Sequence, residues 1–297
     1  MGKESFAVGV SYTLLSAVGL AFTGLFGKLG GSEFSLEALI FWRFLASFIF
    51  CALFLGLIGK LHHVFSFQNP KIHFLRAFFV LGAQYSFYYY IQKVTLMNGM
   101  VLLSMGPLFI PMIEWIVLRN KIGKSTWAGL IVSCIGMICV LQPDKGIFTL
   151  LSLIGILAGF CQGCSQVVFG LSTKSERSDL SILYLFFLCM AFSLVPFLFS
   201  DGSWGIGKAE VWSPFLIVIG MGASSVLNQL ARAVAYMHGT PSRLATFLYF
   251  AILLAAIFDW LIFGKIPNTL SAIGAILVVG GGLLKIYLRA WILKRKS

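Results

Sequence analysis

Charge is what this chain has least of. Only 10 acidic and 22 basic side chains occur in 297 residues, 11% of the sequence, against about 25% in soluble domains. That is too few to coat a water-soluble fold of this size, since 59% of the residues are hydrophobic and mean hydropathy is +0.94. Lipid must serve as the solvent. Long polar stretches are missing as well, which excludes an extramembrane catalytic domain. Neither H-E-x-x-H, G-x-S-x-G nor a phosphate-binding glycine loop occurs, so no enzyme and no cofactor are expected. Histidine is scarce. His62, His63 and His73 fall between the second and third apolar runs and His238 near a helix end, where solvated loop positions are expected. The six cysteines all sit inside apolar runs. Cys161-x-x-Cys164 lacks a second pair or a neighbouring histidine, so neither a disulfide framework nor a metal site is expected.

What is abundant suits a bilayer: 29 phenylalanines and 31 glycines, both common in membrane helices. At about 20 residues per span, the apolar runs give ten: 6–28, 36–58, 72–93, 98–118, 125–141, 148–171, 180–199, 211–236, 243–263 and 269–291. The first is followed directly by a second, so we expect a helix there and not a cleaved leader. Sheets are excluded, because an open edge cannot be satisfied in hydrocarbon and barrel-like alternation is absent. The expected fold class is therefore all-α, a polytopic membrane protein.

The net charge of +12 does not point to nucleic acid, because the basic residues punctuate the apolar runs and form no patch. They point to topology. With a cytoplasmic N-terminus, fifteen Lys and Arg, Arg76 among them, fall on the inner side and five, including Lys28, on the outer side. The positive-inside rule then puts both termini in the cytoplasm.

An internal repeat organises the chain. A shift of 145 lays Glu114-Trp115 on Asp259-Trp260, Gln84 on Gln229, Gly129 on Gly274 and Gly136 on Gly281. We therefore divide the chain into 1–143 and 144–297, the latter ending in a basic tail. Five spans per half is an odd number, so the second half enters the bilayer inverted. Inverted repeats of this kind hold their substrate near the midplane, between the halves.

Four stretches carry a family resemblance: Phe41-Trp42-Arg43-Phe44-Leu45, Pro107-Leu108-Phe109, Gly123-x-x-x-Trp127-x-Gly129 and Gly264-Lys265-Ile266-Pro267. By their order and spacing the chain resembles the drug/metabolite transporter superfamily, in its EamA-type ten-helix branch. The turns after spans four and nine depart from that pattern, with Arg119-Asn120 and Gly264-Lys265 where the family often has Gly-Glu. The resemblance implies a carrier of small metabolites in a bacterial inner membrane, with export common.

Polar side chains inside apolar runs are the candidate site, because burying them in hydrocarbon costs several kcal/mol unless they are satisfied. Span three offers Gln84 and Tyr88 on a face with Tyr85, Tyr89 and Gln92. Span eight offers Asn228, Gln229 and Arg232 beside Ser224 and Ser225. Tyr12 heads a stripe with Ser16, Gly19 and Thr23, and span six bears Gln162 and Gln166. Each set reads either as cavity lining or as helix–helix hydrogen bonding. Gly155, Gly159 and Gly163, every fourth residue, read as a close packing face. Arg43, with Trp42 beside it, and Arg232 either snorkel to the headgroups or point inward as fixed charge for a carboxylate or phosphate. Glu114 and Asp259 are the two acids well within spans, and serve either proton coupling or structure.

The expectation is a secondary transporter exporting a neutral or zwitterionic metabolite, an amino acid first, by alternating access. Its substrate site would centre on the two repeat-related amides. Protons or a counter-substrate would supply the coupling, and membrane lipid the surroundings. The competing reading is a noncatalytic membrane scaffold built from the same helices.

Overall fold

A computed structural model describes residues 3–59, 69–119, 150–172, 178–200, 212–238, 244–266 and 268–294, with scattered helical positions between 127 and 139. Among these residues the chain is all helix, with no strand. Ten α-helices are bounded within the described residues: α1 (Lys3–Gly30), α2 (Leu36–Leu57), α3 (Pro70–Ile91), α4 (Leu96–Leu103), α5 (Gly106–Leu118), α6 (Leu150–Ser172), α7 (Ser178–Leu198), α8 (Trp212–His238), α9 (Phe250–Leu261) and α10 (Thr269–Lys294). A short 3-10 helix, Ala245–Tyr249, leads into α9. The expected run 125–141 lies mostly outside the described residues.

Four segments are long and apolar enough to cross a bilayer unaided: Phe6–Gly30, Leu36–Leu57, Leu180–Leu198 and Pro214–His238. Shorter apolar stretches run through α6, α9 and α10. The fold is that of a polytopic membrane protein.

One expected span is broken. The run at 98–118 divides into α4 and α5 at Ser104-Met105. The cause is local. Pro107 has no N–H to return to Leu103, so the ladder cannot run on through this point, while a proline is tolerated in the first turn of α5. The chain tightens instead through a Met105 N–H to Leu102 carbonyl bond of 3.1 Å.

The helices pack by small residues and hydrogen bonds. The longest seam joins α1 to α8, antiparallel. Asn228 Nδ2 donates to the Ser16 carbonyl at 2.6 Å and to Ser16 Oγ at 3.2 Å, and Thr23 Oγ1 meets Ser224 Oγ at 2.9 Å. At Gly19 even a methyl would lie 2.8 Å from the α8 backbone, so glycine is what lets these helices touch. The packing of α6 is built in the same way. Its Gly155, Gly159 and Gly163 admit Tyr90 of α3, Leu102 of α4 with its carbonyl, and Phe109 of α5. The packing reading of that glycine series is the one the structure shows.

At one end of the bundle Lys28 and Asp259 form an ion pair of 3.2 Å. Asp259 also accepts from the Leu96 and Met97 N–H groups at 3.1 and 2.7 Å, the unpaired first-turn donors of α4. Lys28 donates in turn to the Val94 carbonyl at 2.9 Å. One carboxylate thus ties α1, α4 and α9 together.

Candidate functional site

Two turns into α2, Arg43 turns inward and does not snorkel; only 7% of its surface is exposed. A guanidinium in so apolar a place needs acceptors, and two other helices supply them. Arg43 Nε donates to Ser225 Oγ of α8 at 3.1 Å, and Nη1 donates to Gln84 Oε1 of α3. The cation lies 4.9 Å from the Phe44 ring and 5.4 Å from the buried Tyr88 ring, contacts that favour a cation over an aromatic face. Ser47 Oγ donates to the Arg43 carbonyl at 2.8 Å, and Tyr88 Oη donates to the Thr23 carbonyl at 3.3 Å. Four helices, α1, α2, α3 and α8, therefore converge on one charge.

Two polar atoms on residues next in sequence to Arg43 and Gln84 are buried without a partner: Trp42 Nε1 and Tyr85 Oη. A buried, unsatisfied donor costs about 1–3 kcal/mol, so each marks a place where a ligand atom would relieve the cost. The Trp42 indole is held edge-on by Phe41 and by Phe197 of α7, at centroid distances of 5.5 and 6.0 Å. Among the described residues no carboxylate pairs with Arg43, and the one ion pair is Lys28–Asp259.

The remaining candidates divide. Gln84 and Arg43 come together, but Gln229 does not complete a pair of amides. It is half-buried and makes no hydrogen bond among the described residues, and α8 reaches the cluster through Ser225, a turn earlier. A site of two amides without fixed charge is thus corrected: the Gln84 oxygen serves a guanidinium. Asn228 is spent on Ser16, and the span-one stripe forms the α1–α8 seam, leaving Tyr12 38% exposed. Gln162 lies against Gly106, half-buried. Gln166 accepts from Tyr236 Oη at 3.2 Å. Arg232 points inward at 2% exposure. Asp259 sits in the structural tie described above, and the Glu114 side chain lies outside the described residues.

One sequence expectation fails outright. His73, assigned to a solvated loop, is buried at 1% exposure, and Arg76, counted on the inner side, is buried at 2%. Both lie in the first two turns of α3, where a surface position looks the same in sequence as one covered by α7. Lys28, counted on the outer side, is held in the ion pair with Asp259.

Comparison with known proteins agrees with this architecture. Residues 7–142 match the EamA-like transporter family. The resemblance to the drug/metabolite transporter superfamily is borne out, and the chain is a small-molecule transporter of the membrane and not an enzyme. Among its relatives, a riboflavin transporter of Vibrio cholerae is 28% identical over 70% of this chain and 68% of that protein. A pseudopaline exporter of Pseudomonas aeruginosa is 24% identical over 67% and 70%. An S-adenosylmethionine uptake transporter of Rickettsia felis is 22% identical over 99% and 97%. A crystal structure of another protein superposes over 97% of this chain and 99% of that one, with a TM-score of 0.68 at 18% identity, a likeness of fold.

Proposed function

We propose that the protein is a secondary transporter with ten spans in two inverted halves, 1–143 and 144–297, which binds a carboxylate-bearing metabolite, an amino acid or related zwitterion, at Arg43. The carrying observation is the buried guanidinium, fixed by Gln84 and Ser225 without an ion-pair partner among the described residues. An ionisable side chain at membrane depth is expensive and marks a substrate pathway by default. A zwitterion would bring its carboxylate to the fork of Arg43 and meet aromatic faces with the rest.

Several features support the two-half reading. The α1–α8 seam has its repeat counterpart in α3–α6, and α2–α8 in α3–α7. The break at Ser104-Met105 and the change from 3-10 to α-helix at Tyr249-Phe250 are offset by the same 145 residues as the sequence repeat. Irregular spans at corresponding places are the usual pointer to a transporter's site. Relatives named for riboflavin, pseudopaline and S-adenosylmethionine support an organic solute. Export is proposed from the family resemblance and the relative named as an exporter. The uptake carriers define the opposite outcome, and coupling to protons or to a counter-substrate is proposed with it.

The test is a thermal-shift screen of the purified protein against a metabolite library, then flux in proteoliposomes of fixed orientation. An amino acid or related zwitterion that stabilises the wild type should lose at least tenfold in affinity in Arg43→Gln. Gln84→Ala should weaken binding by about 1–3 kcal/mol, as stranding a buried polar group does. If the stabilising solutes are polycations, or Arg43→Gln binds as well as the wild type, the reading is wrong.

A further inference from the structure

Among the described residues Arg43 is one of three buried arginines. Arg76 of α3 and Arg232 of α8 each retain 2% exposure, and the transport reading above uses neither. Arg76 lies eight residues before Gln84, and Arg232 seven after Ser225. At 1.5 Å per residue both fall about 10–12 Å from the Arg43 cluster, toward the end of the bundle opposite Lys28–Asp259. Arg76 stacks on Phe169, and Phe169 packs on Tyr236, one turn beyond Arg232 on α8, so both guanidinium groups stand in one region of the bundle. Buried like charges in one region repel, and among the described residues the one ion pair is elsewhere.

The surroundings fix these charges without neutralising them. Arg76 lies 3.8 Å above the Phe169 ring and Nη1 donates to Ser181 Oγ at 3.1 Å. Phe169 packs on Tyr236 at 6.0 Å between centroids, and Tyr236 Oη donates to Gln166 Oε1. The Nε atoms of both Arg76 and Arg232 are buried with no partner. Helices α3, α6, α7 and α8 thus hold two positive forks at one level, each with an unused donor.

We propose that Arg76 and Arg232 form a second station, separate from Arg43, that binds an oxyanion of the phosphate or carboxylate type. Planar forks with free N–H groups match the oxygens of either group, and the anion removes the repulsion between the two cations. The binding does not depend on Arg43 being the transport site. A role as a waypoint for solute approaching from that end rests on the transport reading.

Inorganic phosphate is the probe. Thermal unfolding of the full chain is followed in neutral detergent as phosphate replaces chloride at constant ionic strength, and again in nanodiscs with and without phosphatidylglycerol. We expect saturable stabilisation that Arg43→Gln retains and that Arg232→Gln and Arg76→Gln weaken at least tenfold. Without ligand, Arg232→Gln should melt no lower than the wild type, since it removes an unpaired buried charge; a purely structural arginine would show the reverse. Arg232→Lys, which keeps the charge but loses the fork, should bind several-fold more weakly and serves if the glutamine variant does not fold. Stabilisation by phosphatidylglycerol alone, abolished by the same variants, assigns the oxyanion to a lipid headgroup. No response to either probe, or a response unchanged in the variants, overturns the proposal.

Discussion

At the scale of single residues, function and stability separate most cleanly at Trp42. Its indole nitrogen is buried without a partner, while its ring is packed by Phe41 and Phe197. Trp42→Phe keeps most of that ring contact and removes only the donor. Melting in detergent should therefore stay within a degree or two of the wild type, and affinity for the transported solute should fall about tenfold, near 1.4 kcal/mol, the scale of one net hydrogen bond. A drop in melting with full affinity would make Trp42 a packing residue. Much of this was legible in the sequence: Trp42, Arg43, Gln84 and Tyr88 stand out because polar groups in apolar runs are costly. The partners were not. Nothing in the spacing of α8 says that Ser225, and not Gln229, meets Arg43, because helix rotation is set by the glycine contacts of the α1–α8 seam. Arg76 was hidden because an arginine six residues into a helix can still reach a membrane surface.

At the scale of elements, the Lys28–Asp259 tie decides how α4 begins. Asp259 is 1% exposed, pairs with Lys28 and caps two N–H groups of α4. Asp259→Asn keeps an oxygen for those groups but leaves Lys28 as an uncompensated buried charge. Breaking such a pair on one side costs about 3–5 kcal/mol, readable as a lower unfolding midpoint in denaturing detergent. Lys28→Met combined with Asp259→Asn should recover most of the loss. Were Asp259 a proton carrier, Asp259→Asn would abolish coupled transport while the fold stayed intact. The helices themselves followed from hydropathy and length. The break between α4 and α5 did not, because a proline inside an apolar run is compatible with a kink as well as with a break.

At the scale of the whole molecule, the central claim is that the Arg43 site faces one side of the membrane at a time. The two ends differ: Lys28–Asp259 ties α1, α4 and α9 at one, and Arg76 and Arg232 lie toward the other. The proposed division into two halves comes from the 145-residue shift, whereas which helices pack on which is not legible in the sequence. The direct measurement is thiol accessibility of Tyr85→Cys, placed beside Gln84, in a protein whose six native cysteines have been replaced. In oriented proteoliposomes, position 85 should be labelled by a membrane-impermeant reagent from either side. Substrate should protect it, and cross-linking cysteines at positions 28 and 259 should abolish access from the Lys28 end only. Protection from both sides under all conditions, or simultaneous access from both sides in every molecule, would contradict the account.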